Sequence, residues 1–187
     1  MRCFVALDLP RPVCNHLANV TAPLDERFDL KWVPVDNMHV TLLFAGDIYD
    51  DGVDALCDVI SACDEPPREF TLTGFGTFPP KGMPHVVWAG LGDGGGGDIE
   101  ATRSLQKDIS AVAESFDVPR EKRRFSPHVT IARTKSQFGA LALIDRLKEL
   151  SKELKQKPFP IESITVYQST LTPRGPRYDV LHRRSLG

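Results

Sequence analysis

One tetrapeptide pattern occurs twice in this chain, as His39-Val40-Thr41-Leu42 and as His128-Val129-Thr130-Ile131. Each copy alternates polar and apolar side chains, which is typical of a β-strand that is buried on one face. In a regular strand the histidine and threonine of a copy lie on one face, and the two aliphatic residues lie on the other. Phe44 continues the first copy on its apolar face. We therefore expect two related strands, each with a core face and a His/Thr face.

The two copies also stand in similar surroundings, because a predicted helix follows each predicted strand. Such a repeat predicts two lobes related by a pseudo-twofold axis. The axis would turn the two His/Thr faces toward each other across one cleft. A substrate in that cleft would meet two imidazoles and two hydroxyls.

The remaining pattern predicts seven to nine strands and four helices, without strict alternation of strand and helix. This order favours an α+β fold over a doubly wound one. The chain has 187 residues, 41% of them hydrophobic and 26% charged, which is typical of a globular protein. We expect a single two-lobed domain over residues 1–187.

The longest apolar run near the N-terminus, residues 3–7, is too short for a signal peptide or a membrane span. We therefore expect a cytoplasmic protein that does not associate with membranes. The four cysteines form no C-x-x-C pair, and we expect them to be reduced thiols.

Charge is unevenly distributed along the chain. Residues 1–118 carry 8 Lys/Arg and 19 Asp/Glu, whereas residues 119–187 carry 15 and 6. A polyanion would be attracted to the second portion and repelled by the first. Arg123 and Arg124 belong to a basic loop just before the second motif, where they would contact an RNA backbone or simply be solvated. Phe125 would either stack on a base or pack in the core.

Two histidines and two threonines suit the hydrolysis of a cyclic phosphate. A base takes a proton from water, an acid protonates the departing sugar oxygen, and in-line attack puts the two on opposite sides of phosphorus. Imidazole, whose pKa is ~6.5, can fill either role near neutral pH. The hydroxyls of Thr41 and Thr130 can donate hydrogen bonds to the non-bridging oxygens. His39 and His128 are therefore the candidate catalytic residues.

A metal site is a poorer interpretation of the same residues. One histidine per strand provides at most two ligands, and no His-Glu-x-x-His pattern is present. We expect neither a metal nor another cofactor.

The chain resembles the two-histidine phosphoesterase superfamily, and within it the RNA 2′,3′-cyclic phosphodiesterases once called 2′-5′ RNA ligases. The resemblance covers nearly the whole chain. It rests on the opening strand, on both motifs and on a C-terminal signature. The opening strand is Phe4–Pro10, the first motif is Asn37–Leu42 with Phe44 and Gly46, the second motif is Phe125 with Pro127–Arg133, and the signature is Tyr167–Ser169 with Leu171, Gly175, Tyr178 and Leu181.

The resemblance implies a bilobal fold with antiparallel sheets around a central cleft and helices packed outside. It implies cleavage of the bond from phosphorus to O3′, with His39 as acid and His128 as base. It also favours Arg133 as a phosphate ligand, although this residue lies opposite His128 on a regular strand and reaches the cleft only if the chain bends. The expected partner is RNA with a 2′,3′-cyclic phosphate end, tRNA fragments included, bound by a monomer.

Three other activities remain open from the sequence. The first is hydrolysis of a small cyclic nucleotide, which would use the same histidines and differ at the cleft rim. The second is binding of an RNA end without turnover. The third is 2′-5′ joining of RNA, which the resemblance implies as a side activity.

Overall fold

The computed structural model describes residues 1–25, 27–94, 98–121, 124–136, 139–154, 157–173 and 175–186. These residues form four α-helices: α1 (Arg11–Thr21), α2 (Asp50–Ser61), α3 (Asp98–Glu114) and α4 (Ala140–Leu150). They also form nine strands: β1 (Arg2–Asp8), β2 (Leu30–Trp32), β3 (His39–Asp47), β4 (Glu69–Phe78), β5 (Val86–Asp93), β6 (His128–Thr134), β7 (Phe159–Pro160), β8 (Ser163–Thr172) and β9 (Gly175–Ser185).

All strand pairs are antiparallel, in the order β7-β4-β5-β6-β3-β1-β8-β9, with β2 on β6. The α+β class and the antiparallel pairing are therefore confirmed. The two halves share one continuous sheet, because β3 and β6 pair at its centre through Val40 and Val129. Each motif strand thus has three strands beyond it in its own half, as a pseudo-twofold axis between β3 and β6 requires.

One face of the central strands packs against helices. Val40, Val129 and Ile131 are fully buried, and α3 packs against β3 and β5. Helix α2 packs against β8 and β9, and α4 packs against β4. The histidine and threonine of each motif lie on the other face and are half-buried. The predicted alternation is confirmed for the four residues of each motif.

The alternation fails beyond each motif because of a β-bulge. In β3 the partners of β1 pass from Thr41 to Leu43, so that Leu42 has no opposite residue. This extra residue reverses the faces of the residues that follow it, up to a second irregularity at Ala45. Phe44 was expected on the core face, but it is 69% exposed on the same face as Thr41.

The second motif strand has the same irregularity at the equivalent position. Between β5 and β6 the partners pass from Thr130 to Ala132, which leaves Ile131 unpaired. Arg133 is thereby moved to the face of Thr130. The bend that Arg133 needs to reach the cleft therefore exists, and it lies at Ile131. Phe44 and Arg133 each stand five residues after the histidine of their motif.

All four cysteines, at positions 3, 14, 57 and 63, are free thiols. The first two are buried and the other two are half-buried, so the expected reduced state is confirmed for each. Within the described residues, no helix is both long enough and apolar enough to span a membrane.

Candidate active site

The two motif histidines are held in the same way. The Nδ1 atom of His39 lies 2.8 Å from the carbonyl oxygen of Asn37, and the Nδ1 atom of His128 lies 2.8 Å from that of Ser126. A carbonyl oxygen only accepts, so Nδ1 carries the proton and donates in both residues. The Nε2 atom of each neutral ring is consequently the one left to exchange a proton with a substrate.

Aromatic rings flank each histidine. Phe4 and Tyr178 lie beside His39, with ring centroids 4.9 and 5.6 Å from its own. Phe78 and Trp88 lie beside His128 at 5.0 and 6.1 Å. These contacts, together with the Nδ1 hydrogen bonds, restrict the orientation of both imidazoles.

A cavity of about 450 Å³ opens on the concave face of the sheet, on the His39 side. Its polar lining includes His39, Thr41, Thr130 and Arg133, and both bulge-shifted side chains reach it. Its other lining residues are mostly apolar or aromatic and include Phe4, Trp32, Val33, Pro34, Phe44, Leu171, Pro176 and Tyr178. His128 does not line this cavity. The cavity thus brings together four of the five predicted catalytic and phosphate-binding residues.

The two threonine hydroxyls are open to a ligand. Val40 and Val129 are opposite each other in antiparallel strands, which places Thr130 beside His39 and Thr41 beside His128. Within the part of the chain that the structure describes, neither hydroxyl is bonded to another protein group. Two donors thus face the space between the imidazoles.

Burial lowers the pKa of His39 below its ordinary value. The hydrogen bond to the Asn37 carbonyl and the charge of Asp8 oppose this shift, whereas the charge of a protonated His128 adds to it. His39 is therefore neutral near pH 7 in the absence of substrate. An anionic phosphate beside the ring would favour its protonated form.

Sequence reasoning missed a polar network near His39. Asp8, which pairs with His39 across β1 and β3, accepts hydrogen bonds from Ser163 (2.6 Å), Thr165 (2.6 Å) and Tyr167 (2.7 Å). Burial and the bond to Asp8 raise the pKa of Tyr167 to about 12, so its hydroxyl remains a donor. Only pairing of β1 with β8 brings these residues together, so no local motif indicates the network.

The predicted RNA-contact residues are distributed differently. Arg123 lies outside the described residues. Arg124 is exposed in the loop before β6, so its contact with RNA stays a prediction. Phe125 is half-buried and packs against the hydrophobic core, and it does not line the cavity. Its predicted packing is thus observed, and its stacking on a base stays a prediction.

The described residues contain no group of three or more His, Cys, Asp or Glu side chains placed to hold a metal ion.

Comparison with known proteins agrees with this geometry. The family model described as the 2′-5′ RNA ligase superfamily matches residues 9–172. The chain is 31% identical over 153 residues to the RNA 2′,3′-cyclic phosphodiesterase of Aeropyrum pernix, covering 82% of this chain and 84% of that protein. It is 29% identical over 187 residues to the protein of the same name from Thermotoga maritima, covering 97% and 94%.

A solved structure shares the fold over its whole length. The crystal structure of the protein TT0787 of Thermus thermophilus superposes with a TM-score of 0.78 at 27% identity, covering 100% of this chain and 98% of that one. The resemblance to the two-histidine phosphoesterases is thereby confirmed. The chain belongs to the 2′-5′ RNA ligase superfamily.

Proposed function

We propose that this protein hydrolyses 2′,3′-cyclic phosphates at RNA ends to 2′-phosphomonoesters, by metal-independent acid–base catalysis. The observation that carries the proposal is the matched pair of imidazoles, each with Nδ1 bonded to a carbonyl and Nε2 left for proton transfer. Two relatives that bear the name RNA 2′,3′-cyclic phosphodiesterase match most of the chain, which supports the same activity.

The position of the cavity supports a division of roles between the histidines. The cavity on the His39 side is large enough for a ribose and its base, so the sugar that carries the cyclic phosphate lies there. The departing O3′ then faces His39, which acts as the acid. Attack in line comes from the opposite side of phosphorus, where His128 acts as the base toward water.

The remaining polar groups would hold the phosphate. Thr41 and Thr130 donate to the non-bridging oxygens, where negative charge develops in the transition state. Arg133 lines the same cavity and can pair with this charge. Phe44, at the equivalent position of the first motif, offers an exposed aromatic ring to the base of the same nucleotide.

Turnover of a defined substrate tests the activity. We expect an oligonucleotide with a 2′,3′-cyclic phosphate to be converted to a 2′-phosphate, with no 3′-phosphate formed, because O3′ is the group protonated by His39. Phosphorus NMR or mass spectrometry after treatment with a 3′-phosphatase distinguishes the two products. Binding without turnover would favour an RNA-end binding module instead.

A cyclic mononucleotide measured in parallel tests the other enzymatic alternative. RNA should be preferred in kcat/KM, because upstream phosphates can meet the basic residues after position 118. Equal or better turnover of the mononucleotide would favour a small cyclic nucleotide as substrate.

Activity should survive a chelator. Two imidazoles provide the proton transfers, and the strained five-membered ester needs no Lewis acid in this mechanism. The measurement is the hydrolysis rate after dialysis against EDTA, with and without added zinc or manganese. A rate that collapses and returns with metal would contradict metal-independent catalysis.

The pH dependence should be bell-shaped, because one histidine must be protonated while the other is neutral. The two limbs belong to the coupled pair rather than to single residues. Because the phosphate favours protonated His39, the alkaline limb should lie at higher pH in kcat than in kcat/KM. Full pH–rate profiles measure this difference. Profiles that are flat from about pH 5 to about pH 9 would contradict rate-limiting acid–base catalysis.

A further inference from the structure

The carboxylate of Asp8 is held from one side by strand β8. Its Oδ2 atom accepts hydrogen bonds from Ser163 and Thr165, and its Oδ1 atom accepts one from Tyr167. Three hydroxyl donors on two oxygen atoms suit an ionised carboxylate, which can only accept. The Asp8 side chain is 15% exposed. A fixed negative charge therefore lies on the concave face of the sheet with little water around it.

This charge lies beside His39. Asp8 and His39 are opposite each other in the antiparallel pair of β1 and β3, and opposite residues point to the same face of a sheet. The Nδ1 atom of His39 is already bonded to the carbonyl oxygen of Asn37. The carboxylate consequently acts on the imidazole through its charge, which favours the protonated ring.

A stack of aromatic rings joins the two residues by a second route. The ring of Tyr167, whose hydroxyl donates to Asp8, stacks on Phe4 with ring centroids 5.1 Å apart. The Phe4 ring in turn lies 4.9 Å from the His39 ring. The side chain that fixes the carboxylate thus belongs to the group of rings that orients the imidazole.

Arg183 on β9 balances part of the charge from the far side. Its Nε atom lies 3.6 Å from the Oδ2 atom of Asp8, and the guanidinium also donates to Thr165 (3.3 Å) and Tyr167 (3.5 Å). The strand order β3-β1-β8-β9 puts the carboxylate between the imidazole and the guanidinium. Because the Arg183 side chain is 48% exposed, solvent screens its charge more than that of Asp8.

We propose that Asp8 is a positioning residue for His39. Its carboxylate favours the protonated imidazole that gives its proton to O3′, and Arg183 limits how strongly it does so. This inference rests on the proposed function and deepens it, because it names the groups that set the charge of the acid without touching the substrate. Neither Asp8 nor Arg183 lines the cavity.

The other charges that face His39 are mainly positive. Cationic side chains from three strands line the cavity with it, namely Arg2 on β1, Lys31 on β2 and Arg133 on β6. His128 on β6 adds a further positive charge when it is protonated. Among the described residues that line the cavity there is no carboxylate. The negative charge of Asp8 therefore acts against these cations.

The remaining titratable groups at this end of the sheet do not replace Asp8. Tyr178 on β9 stays neutral, because burial raises its pKa. Arg11 on α1 and Asp36, which precedes β3, form an ion pair with each other. Glu162, just before β8, interacts with Arg183 and adds to the negative charge on that side.

Asp8→Asn tests the charge with little change of shape. The three hydroxyl groups can rotate to bond an amide, but the guanidinium of Arg183 is then unbalanced and disfavours protonated His39. The alkaline limb of kcat on a 2′,3′-cyclic mononucleotide should move lower by about 0.5 to about 1 pH unit. The His39 ring, titrated by NMR in the protein without substrate, should shift in the same direction.

Arg183→Gln should have the opposite effect. The carboxylate then loses its counter-charge, so the alkaline limb and the His39 titration should both move to higher pH, by a smaller amount because Arg183 is farther away and better solvated. In the double variant Asp8→Asn/Arg183→Gln both charges are absent, and the limb should lie between those of the single variants. A residue with only a structural role would not produce shifts of opposite sign.

Asp47→Asn is the matched control. Asp47 lies at the opposite end of β3, pairs with Arg2 and does not line the cavity. Its replacement removes one negative charge from the same pair of strands and should leave the limb in place.

Two results would overturn the role of Asp8. One is a fall in kcat at every pH with both limbs unaltered, and the other is a shift of equal sign in Asp8→Asn and Arg183→Gln. If Asp8→Asn does not fold, as judged by circular dichroism, the upward shift expected in Arg183→Gln decides the matter. Absence of hydrolysis by the wild-type protein would contradict the proposed function instead, and the NMR titrations would still test Asp8.

Discussion

Replacement of either motif histidine by alanine should lower kcat on a 2′,3′-cyclic phosphate by at least ~10²-fold, the usual scale for losing general acid–base catalysis. The two losses should be far from additive in the double variant, because His39 and His128 act on one transition state. Steady-state rates of the single and double variants measure this effect.

His182→Ala is the matched control for these variants. His182, on β9, pairs with Val166 of β8, and its Nε2 atom lies 2.9 Å from the Oγ atom of Ser61 at the end of α2. It is therefore on the helix-covered face of the sheet, away from the cavity. Its replacement should leave kcat unchanged. Near wild-type rates in a folded His39 or His128 variant, with folding verified by circular dichroism, would contradict the mechanism.

Loss of the hydroxyl of either motif threonine should lower kcat about as much as loss of a motif histidine. Thr41→Val and Thr130→Val each keep the shape of the side chain and remove one donor to the non-bridging oxygens. Removal of one such donor typically costs about 10²- to 10³-fold in kcat. We expect losses near the lower end of this range, with smaller changes in KM, because the bond is strongest in the transition state.

Serine at the same positions separates chemistry from packing. Thr41→Ser and Thr130→Ser keep the hydroxyl and remove the methyl group, so most of the activity should return. A valine variant with unaltered kcat would mean that its hydroxyl does not reach the phosphate. A serine variant as slow as the valine one would assign the loss to packing.

Local pattern alone predicts much of the site. A period of two in each motif is enough to place the histidine and threonine together, because alternate residues of a strand share a face. The repetition of the motif predicts that two such strands are related, and Val40 and Val129 do pair at the centre of the sheet. The face of each motif side chain depends on neighbours in sequence, so it can be inferred without knowledge of the fold, whereas the pairing of Val40 with Val129 is decided by the assembled sheet.

The faces of Phe44 and Arg133 could not be predicted in this way. Each depends on a bulge at the residue after the motif threonine, where two consecutive residues are buried against the helices. A bulge is a feature of strand pairing, and a hydrophobic pattern does not reveal which partner residue is skipped. The one signal in the sequence is the shared spacing of five residues after each histidine.

The sequence by itself determined the pair of His/Thr strands, the α+β class and the reduced cysteines, because each follows from local periodicity or from residue spacing. Tertiary structure decided that the cavity lies on the His39 side of the sheet, since the cavity is built from β1, β2, β3, β6, β8 and β9 together. It also decided the partners of Asp8 and the exposed place of Phe78. These depend on contacts between residues far apart in the chain, and such contacts are set by the register of the assembled sheet.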